Sequence, residues 1–208
     1  TAVKTHANSE CKVYSYDENA PLYVFSIRDV KMKNVDLTNM KNLVLVNITR
    51  GGISEIKLPE STNLSELILE GNEFENIDLS KYASQLRMIS LNNNKFKEFD
   101  ASPYKNIFSL TMGNNEMTSI TLDNPNLYNL DLCGNQLSTL DLSKANGVSQ
   151  LFLTNNQLES IDLSPLKNLV ALYLDRNRFK FSTLPVPNSK YALYLYANQA
   201  PVKVEVND

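Results

Sequence analysis

The sequence holds one histidine, no tryptophan, six glycines and two cysteines among 208 residues. A single His sharply limits metal and acid–base chemistry built on imidazole. It stands at position 6, ahead of any repeat, so a catalytic triad is not expected on the array. Neither H-E-x-x-H, G-x-S-x-G nor a P-loop pattern occurs. Two cysteines are too few for a disulfide framework. Positive charge is not in excess: 20 Lys and Arg face 23 Asp and Glu, for a net charge of -3. This argues against a nucleic-acid binder, which usually shows a strongly basic face. No apolar run approaches the roughly eighteen residues of a transmembrane helix. The chain starts Thr1-Ala2-Val3, without Met. It is expected to be a mature or trimmed form whose signal peptide has been removed. Cys11 lacks the apolar-then-small run of a lipoprotein box and is not read as a lipid site.

Two residue types are abundant instead. There are 30 Leu and 27 Asn, and both recur at a fixed spacing. The phrase L-x-x-L-x-L-x-x-N begins at Leu22, Leu43, Leu64, Leu86, Ile107, Leu127, Val148, Leu169 and Lys190. The steps are 21 residues, except 22 before Leu86 and 20 before Leu127. The fourth position is apolar throughout, from Phe25 and Val46 to Leu172 and Leu193. So is the sixth, from Ile27 to Leu195, and the eleventh, from Met32 to Phe179 and a smaller Ala200. The ninth holds Asn72, Asn94, Asn115, Asn135, Asn156, Asn177 and Asn198; the first two units have Val30 and Gly51 there.

The second half of each unit repeats too. Ile77-Asp78-Leu79-Ser80, Leu140-Asp141-Leu142-Ser143 and Ile161-Asp162-Leu163-Ser164 are close copies, and Val35-Asp36-Leu37-Thr38 is a looser one. Apolar and polar residues alternate, which is strand periodicity and not helical spacing. Each unit is therefore expected to carry two short strands on opposite sides of a flattened coil. One unit alone has nothing to bury its inward residues against. Stacking supplies neighbours on both sides, together with ladder hydrogen bonds.

These residues resemble the leucine-rich repeat. The short period and the I-D-L-S second half are similar to the irregular bacterial class of 21-residue repeats. The resemblance implies an all-β, α-poor solenoid: a right-handed coil with a parallel sheet on its concave face and short strands or extended turns on the convex face. It covers residues 22–208, about nine units, and leaves 1–21 as an N-terminal capping segment. Residues 11–20 fit a capping strand, and the alternating run Val202 to Val206 fits a charged C-terminal edge. The resemblance also implies a secreted or cell-surface bacterial protein with a role in adhesion or host interaction.

Each column has an expected job. The Asn amides are read as a structural ladder, satisfying turn backbone groups of their own unit and of the next. The Asp column, Asp36, Asp78, Asp100, Asp141 and Asp162, poses the question of calcium. No D-x-D-x-D-G loop is present, so the carboxylates are expected to cap the turns that follow. No metal and no cofactor is expected. Cys133 falls in the sixth unit and Cys11 ahead of the first. At about 4.8 Å per stacked strand they lie more than roughly 20 Å apart, and two free thiols are expected.

The concave positions carry the ligand-binding candidates. The fifth column ends in Phe152, Tyr173 and Tyr194. The seventh and eighth add Tyr196, Asp175 and Arg176, and Asp131 precedes the aromatics. Tyr and Arg are common interface anchors. Aromatics are also good strand formers, so the stripe is equally explained as sheet stabilisation. A second set, Val24, Leu45, Ile68 and Met88, is apolar. The expected function is a non-catalytic module that recognises a protein or a glycan. The alternatives are a structural spacer, or a fragment of a larger surface protein with any catalysis in a separate domain. Asp131 and Asp175 could form a carboxylate pair, but a shallow solenoid face excludes little water.

Overall fold

A computed structural model describes residues 2–3, 11–14 and 21–200. His6, the side chain of Cys11 and the 201–208 segment lie outside the described residues, so what is expected of them stays an expectation. The described chain is a helix-poor solenoid with a period of about 21 residues and the right-handed coil of a leucine-rich repeat. Its concave sheet has nine parallel strands in chain order. They are β3 (Val24–Arg28), β5 (Leu45–Thr49), β7 (Glu66–Ile68), β8 (Met88–Ser90), β10 (Ser109–Thr111), β12 (Asn129–Asp131), β13 (Gln150–Phe152), β14 (Ala171–Tyr173) and β15 (Leu193–Leu195).

Register follows the leucine columns. Val46 pairs with Leu67, Leu67 with Ile89, Ile89 with Leu110, and the row continues through Leu130 and Leu151 to Leu172. Every one of these side chains is fully buried. A slip of one residue would turn the row out to solvent, so burial fixes the register.

The convex side is only partly strand. β1 (Ala2–Val3), β2 (Cys11–Tyr14), β4 (Asn34–Asp36) and β6 (Glu55–Lys57) form one small sheet, with β1 antiparallel to β2. β9 (Glu98–Asp100) and β11 (Ser119–Thr121) form another. The expectation of two strands in each unit is therefore corrected: the close I-D-L-S copies at 77–80, 140–143 and 161–164 form no strand. Alternation sets which way side chains point. A ladder also needs neighbouring backbones about 4.8 Å apart, and the concave sheet enforces that only on its own side. The extra residue of the third unit is taken up there by a 3-10 turn, Ser80–Tyr82. Tyr82 is buried in it and donates from its hydroxyl to Pro59 O at 2.6 Å.

The Asp column caps turns. Ser80 N donates to Asp78 Oδ1 at 2.9 Å, and Ser102, Ser143 and Ser164 repeat the bond to Asp100, Asp141 and Asp162. Thr38 donates both its N–H and its hydroxyl to Asp36. The backbone bonds from Ser80, Ser143 and Ser164 hold the carboxyls of Asp78, Asp141 and Asp162 below the usual carboxylate range. Among the described residues, no three His, Cys, Asp or Glu side chains are grouped to hold a metal ion.

Asparagine closes the turn after each concave strand. Asn156 Nδ2 donates to Leu153 O of its own unit at 3.1 Å and to Leu132 O of the preceding unit at 2.9 Å. Its Oδ1 accepts from Leu137 N, also of the preceding unit, at 3.0 Å. Asn94, Asn115, Asn135 and Asn177 repeat all three bonds. Asn72 does so with Gly51 N as an additional donor. The amide thus reaches back to the preceding unit, and not forward as expected.

Asn198 is not in this column. Gln199 makes the bonds instead, donating to Tyr196 O at 2.7 Å and Leu174 O at 3.0 Å and accepting from Phe179 N at 3.2 Å. Asn198 has φ +55° and belongs to a different column, the eighth. There Asp29, Arg50, Gly71, Asn93, Asn114, Gly134, Asn155, Arg176 and Asn198 are all left-handed, with φ between +55° and +67°. Gly and Asn tolerate this region best and hold six of the nine places. A Cβ on Gly134 would meet the Asn114 amide oxygen, so a side chain there requires that amide to move as well as a left-handed backbone.

The two columns respond differently to substitution. Asn156→Gly orphans the buried Leu137 N–H and is expected to cost about 1–3 kcal/mol. Asn198→Gly keeps a left-handed conformation available and is expected to stay within about 0.5 kcal/mol. Urea unfolding followed by circular dichroism separates them. Equal losses would contradict the assignment of Gln199 to the ladder.

Candidate functional site

The concave sheet presents its third, fifth and seventh positions. Phe152 and Tyr173 occupy the fifth position of neighbouring strands, pair in register, and have ring centroids 4.8 Å apart at an interplanar angle of 43°. Both are half-buried. Asp131 is the register partner of Phe152 on the other side, so carboxylate, phenyl and phenol lie in one row across three strands. Asp175 follows Tyr173 by two residues and so faces the same way. Its Oδ1 accepts the Thr154 hydroxyl at 2.6 Å. Asp131 Oδ1 accepts the Cys133 N–H at 3.0 Å. Both carboxylates are half-buried, and among the described residues neither is in an ion pair. Arg176 is exposed at the rim, in the left-handed column.

Tyr194 and Tyr196 do not join this row. Leu172 pairs with Tyr194 and Tyr173 with Leu195, so the last unit runs one residue later than the repeat phrase suggests. It begins at Tyr191, not Lys190. Tyr194 is an inward residue of the final unit, and its hydroxyl donates to Pro185 O at 2.6 Å. Tyr191 and Tyr196 pack on either side of it, with centroids 5.8 and 4.9 Å away. The three tyrosines close the C-terminal end of the described core. The concave positions of that strand are Leu193 and Leu195, both exposed. The aromatic stripe is therefore two rings long and ends in leucines. The phrase misleads because Leu193, Leu195 and Asn198 match it letter for letter, while the extra residue lies in the preceding Pro-containing segment.

A second aromatic pair is absent from the sequence reading. Phe108 and Tyr128, at the second position of neighbouring units, stack at 5.0 Å with an interplanar angle of 3°. Phe108 is 54% exposed on the rim of the sheet. The signal was available, since the two are 20 residues apart, the spacing of Ile107 and Leu127.

Polar side chains link the strands between these features. Ser90 donates to Glu70 Oε1 and lies 2.6 Å from the Thr111 hydroxyl. Asn92 donates to Glu70 and Thr111, and its Oδ1 accepts from Gly113 N at 2.6 Å. Asn129 donates to the Ser109 hydroxyl at 3.0 Å. The apolar patch at Val24, Leu45, Ile68 and Met88 is interrupted by Glu66, which pairs with Leu45 and Met88. On the convex face, a cleft of about 720 Å³ is lined by residues that include Asp36, Lys57, Ile77 and Tyr82. It lies beside the unit whose strand pairing is broken.

Cys133, at the seventh position, is a free and half-buried thiol. Burial, reinforced by the nearby Asp131 carboxylate, pushes it up to about 12. It is therefore a neutral thiol at physiological pH and a poor nucleophile. The peptide bearing Cys133 is expected to react with iodoacetamide at least tenfold more slowly in the folded chain than in urea at pH 8, measured by mass spectrometry. The folded group is raised above its unfolded value of about 9. Its contribution to stability is thus complete below pH 9 and is lost between pH 9 and 12. Equal alkylation rates in both states would refute the protected thiol.

No family model matches the chain. Keratocan of Danio rerio is 26% identical over 123 residues, covering 56% of this chain and 35% of that protein. YopM from Yersinia enterocolitica superimposes with a TM-score of 0.65 at 19% identity, over 80% of this chain and 40% of that one. The functional domain of InlJ from Listeria monocytogenes gives 0.53 at 18%, over 83% and 48%. The chain thus spans about a third of keratocan and less than half of either solved structure. In fold, it is a leucine-rich-repeat-like β-solenoid.

Proposed function

We propose that the chain is a non-catalytic binding module of a secreted or cell-surface bacterial protein, and that it recognises a protein or a glycan on its concave face. The observation that carries this reading is the in-register Phe152–Tyr173 pair. It is half-open to solvent on a sheet fixed by hydrogen bonds on both sides of each strand. Rings held on a rigid scaffold lose little freedom on binding. The bacterial origin of the two solved structures that share the fold supports the setting, as does the resemblance carried by the repeats. Among the described residues, no helix is long and apolar enough to cross a membrane. Asp131 and Asp175 lie on an open face, each engaged with its own sheet, which suits recognition better than hydrolysis.

The test is a panel of immobilised extracellular-matrix proteins, mucins and bacterial glycans. It is probed with the chain and with a Phe152→Ser, Tyr173→Ser variant whose circular dichroism is unchanged. The two rings together are expected to contribute at least about 2 kcal/mol, so the variant should lose at least roughly 30-fold in affinity. Binding that persists undiminished would place recognition elsewhere. A chain that binds nothing in the panel would instead fit the spacer reading.

A further inference from the structure

From the charge of the concave face we infer that its partner is cationic: an extended, Lys- or Arg-rich protein segment that lies across the strands, its cations on Asp131, Asp175 and the rings between them. This rests on the concave reading above and adds the chemistry of the partner.

The argument starts from sign. In the second to eighth units, the third, fifth and seventh positions hold four carboxylates, Glu66, Glu70, Asp131 and Asp175, and no cation. Arg28, in the first unit, is the one concave base, and it lies 3.6 Å from Asp29. The remaining lysines stand outside these columns. Lys57, Lys95 and Lys105, for example, pair with Asp36, Glu73 and Asp123 on other sides of the coil. Arg87 and Arg176 flank the face at the second and eighth positions, one on each rim. The overall charge of -3 does not predict this segregation, because charges elsewhere on the coil nearly balance.

The carboxylates are also fixed in place. Asp131 is held by the Cys133 N–H, Asp175 by the Thr154 hydroxyl, and Glu70 by Ser90 and Asn92. These bonds orient the groups without neutralising them. Between Asp131 and Asp175 lie the rings of Phe152 and Tyr173, whose faces carry the negative end of the aromatic quadrupole. A guanidinium or ammonium that meets both a carboxylate and a ring face is held by charge-assisted hydrogen bonds and by cation–π attraction. An acidic glycan laid between Asp131 and Asp175 meets like charge from both. Leu193 and Leu195, exposed at the end of the same face, add an apolar contact beside the charged row.

Spacing sets the length of the segment. Asp131 and Asp175 are two strands apart, and Glu70 is three strands beyond Asp131. At about 4.8 Å per strand the acidic row spans roughly 24 Å, the reach of about seven extended residues.

The probe is a fluorescently labelled ten-residue peptide of alternating Lys and Gly, with the matching Glu–Gly peptide as control, followed by anisotropy. The chain is compared with three variants: Asp131→Asn/Asp175→Asn, Asp141→Asn/Asp162→Asn and Phe152→Leu/Tyr173→Leu. Both asparagine pairs remove two negative charges and keep an oxygen acceptor for the local bond. The Lys–Gly peptide is expected to bind and the Glu–Gly peptide not to. The concave asparagine pair and the leucine pair are each expected to weaken binding at least tenfold, and the convex pair less than twofold. Failure of the chain to bind the Lys–Gly peptide overturns the inference. Equal losses from the two asparagine pairs do so too, since net charge alone would then be read. The panel ligand separates the two readings. A ligand lost by Phe152→Ser/Tyr173→Ser but held unchanged by Asp131→Asn/Asp175→Asn, such as a neutral glycan, leaves concave recognition standing and refutes the cationic partner.

Discussion

A side-chain amide follows most concave strands and joins successive units through the carbonyls at which those strands end. Leu132 O, for instance, accepts from Asn135 of its own unit and from Asn156 of the next. Leu69, Leu91, Met112, Leu153 and Leu174 repeat the arrangement, the last with Gln199 as its second donor. The chain must turn sharply after each strand, and the turn leaves these oxygens inside the coil. An amide short enough to fit there and able to donate twice satisfies two of them at once. Neighbouring units are thereby fixed in height as well as in register.

The in-register concave sheet is a consequence of that constraint. The left-handed eighth residue steers the chain into the turn, the amide at the ninth closes it, and the leucines at the fourth and sixth positions are buried beneath. What remains free to vary is the outward set. Variation there costs the fold little, because those residues point away from the core. The face can therefore carry rings and carboxylates whose local bonds hold them still. The convex side lies under a weaker constraint. It mixes short ladders with hydrogen-bonded Asp-capped turns, and it absorbs an inserted residue in the third unit without disturbing the opposite sheet.

Much of this is legible in the residues. The period, the inward columns and the capping role of the aspartates follow from alternation and from the chemistry of side chains beside a turn. The Phe152–Tyr173 pair and its two acids follow from counting positions. The misplaced residues share one cause. Tyr194, Tyr196 and Asn198 take their expected places from a phrase that matches the last unit one residue earlier than its strand pairs. Tyr194 fills the inward position that leucine holds in the preceding units, packing its ring against the core and sending its hydroxyl to Pro185 O. Gln199 can then stand in for asparagine, its longer side chain still reaching Leu174 O.

The spacing of leucine and asparagine is enough to dictate a coil of 21 or so residues, its inward side chains and an amide column that serves the turns. These are properties of one unit repeated, and local periodicity carries them. Which way each amide reaches, where the last register falls and which units pair on the convex side emerge only in the folded chain. It alone also stacked Phe108 on Tyr128 at the rim. These depend on the distance and phase between neighbouring backbones. Those are set by the pairing of strands 20 to 22 residues apart, which no single repeat encodes.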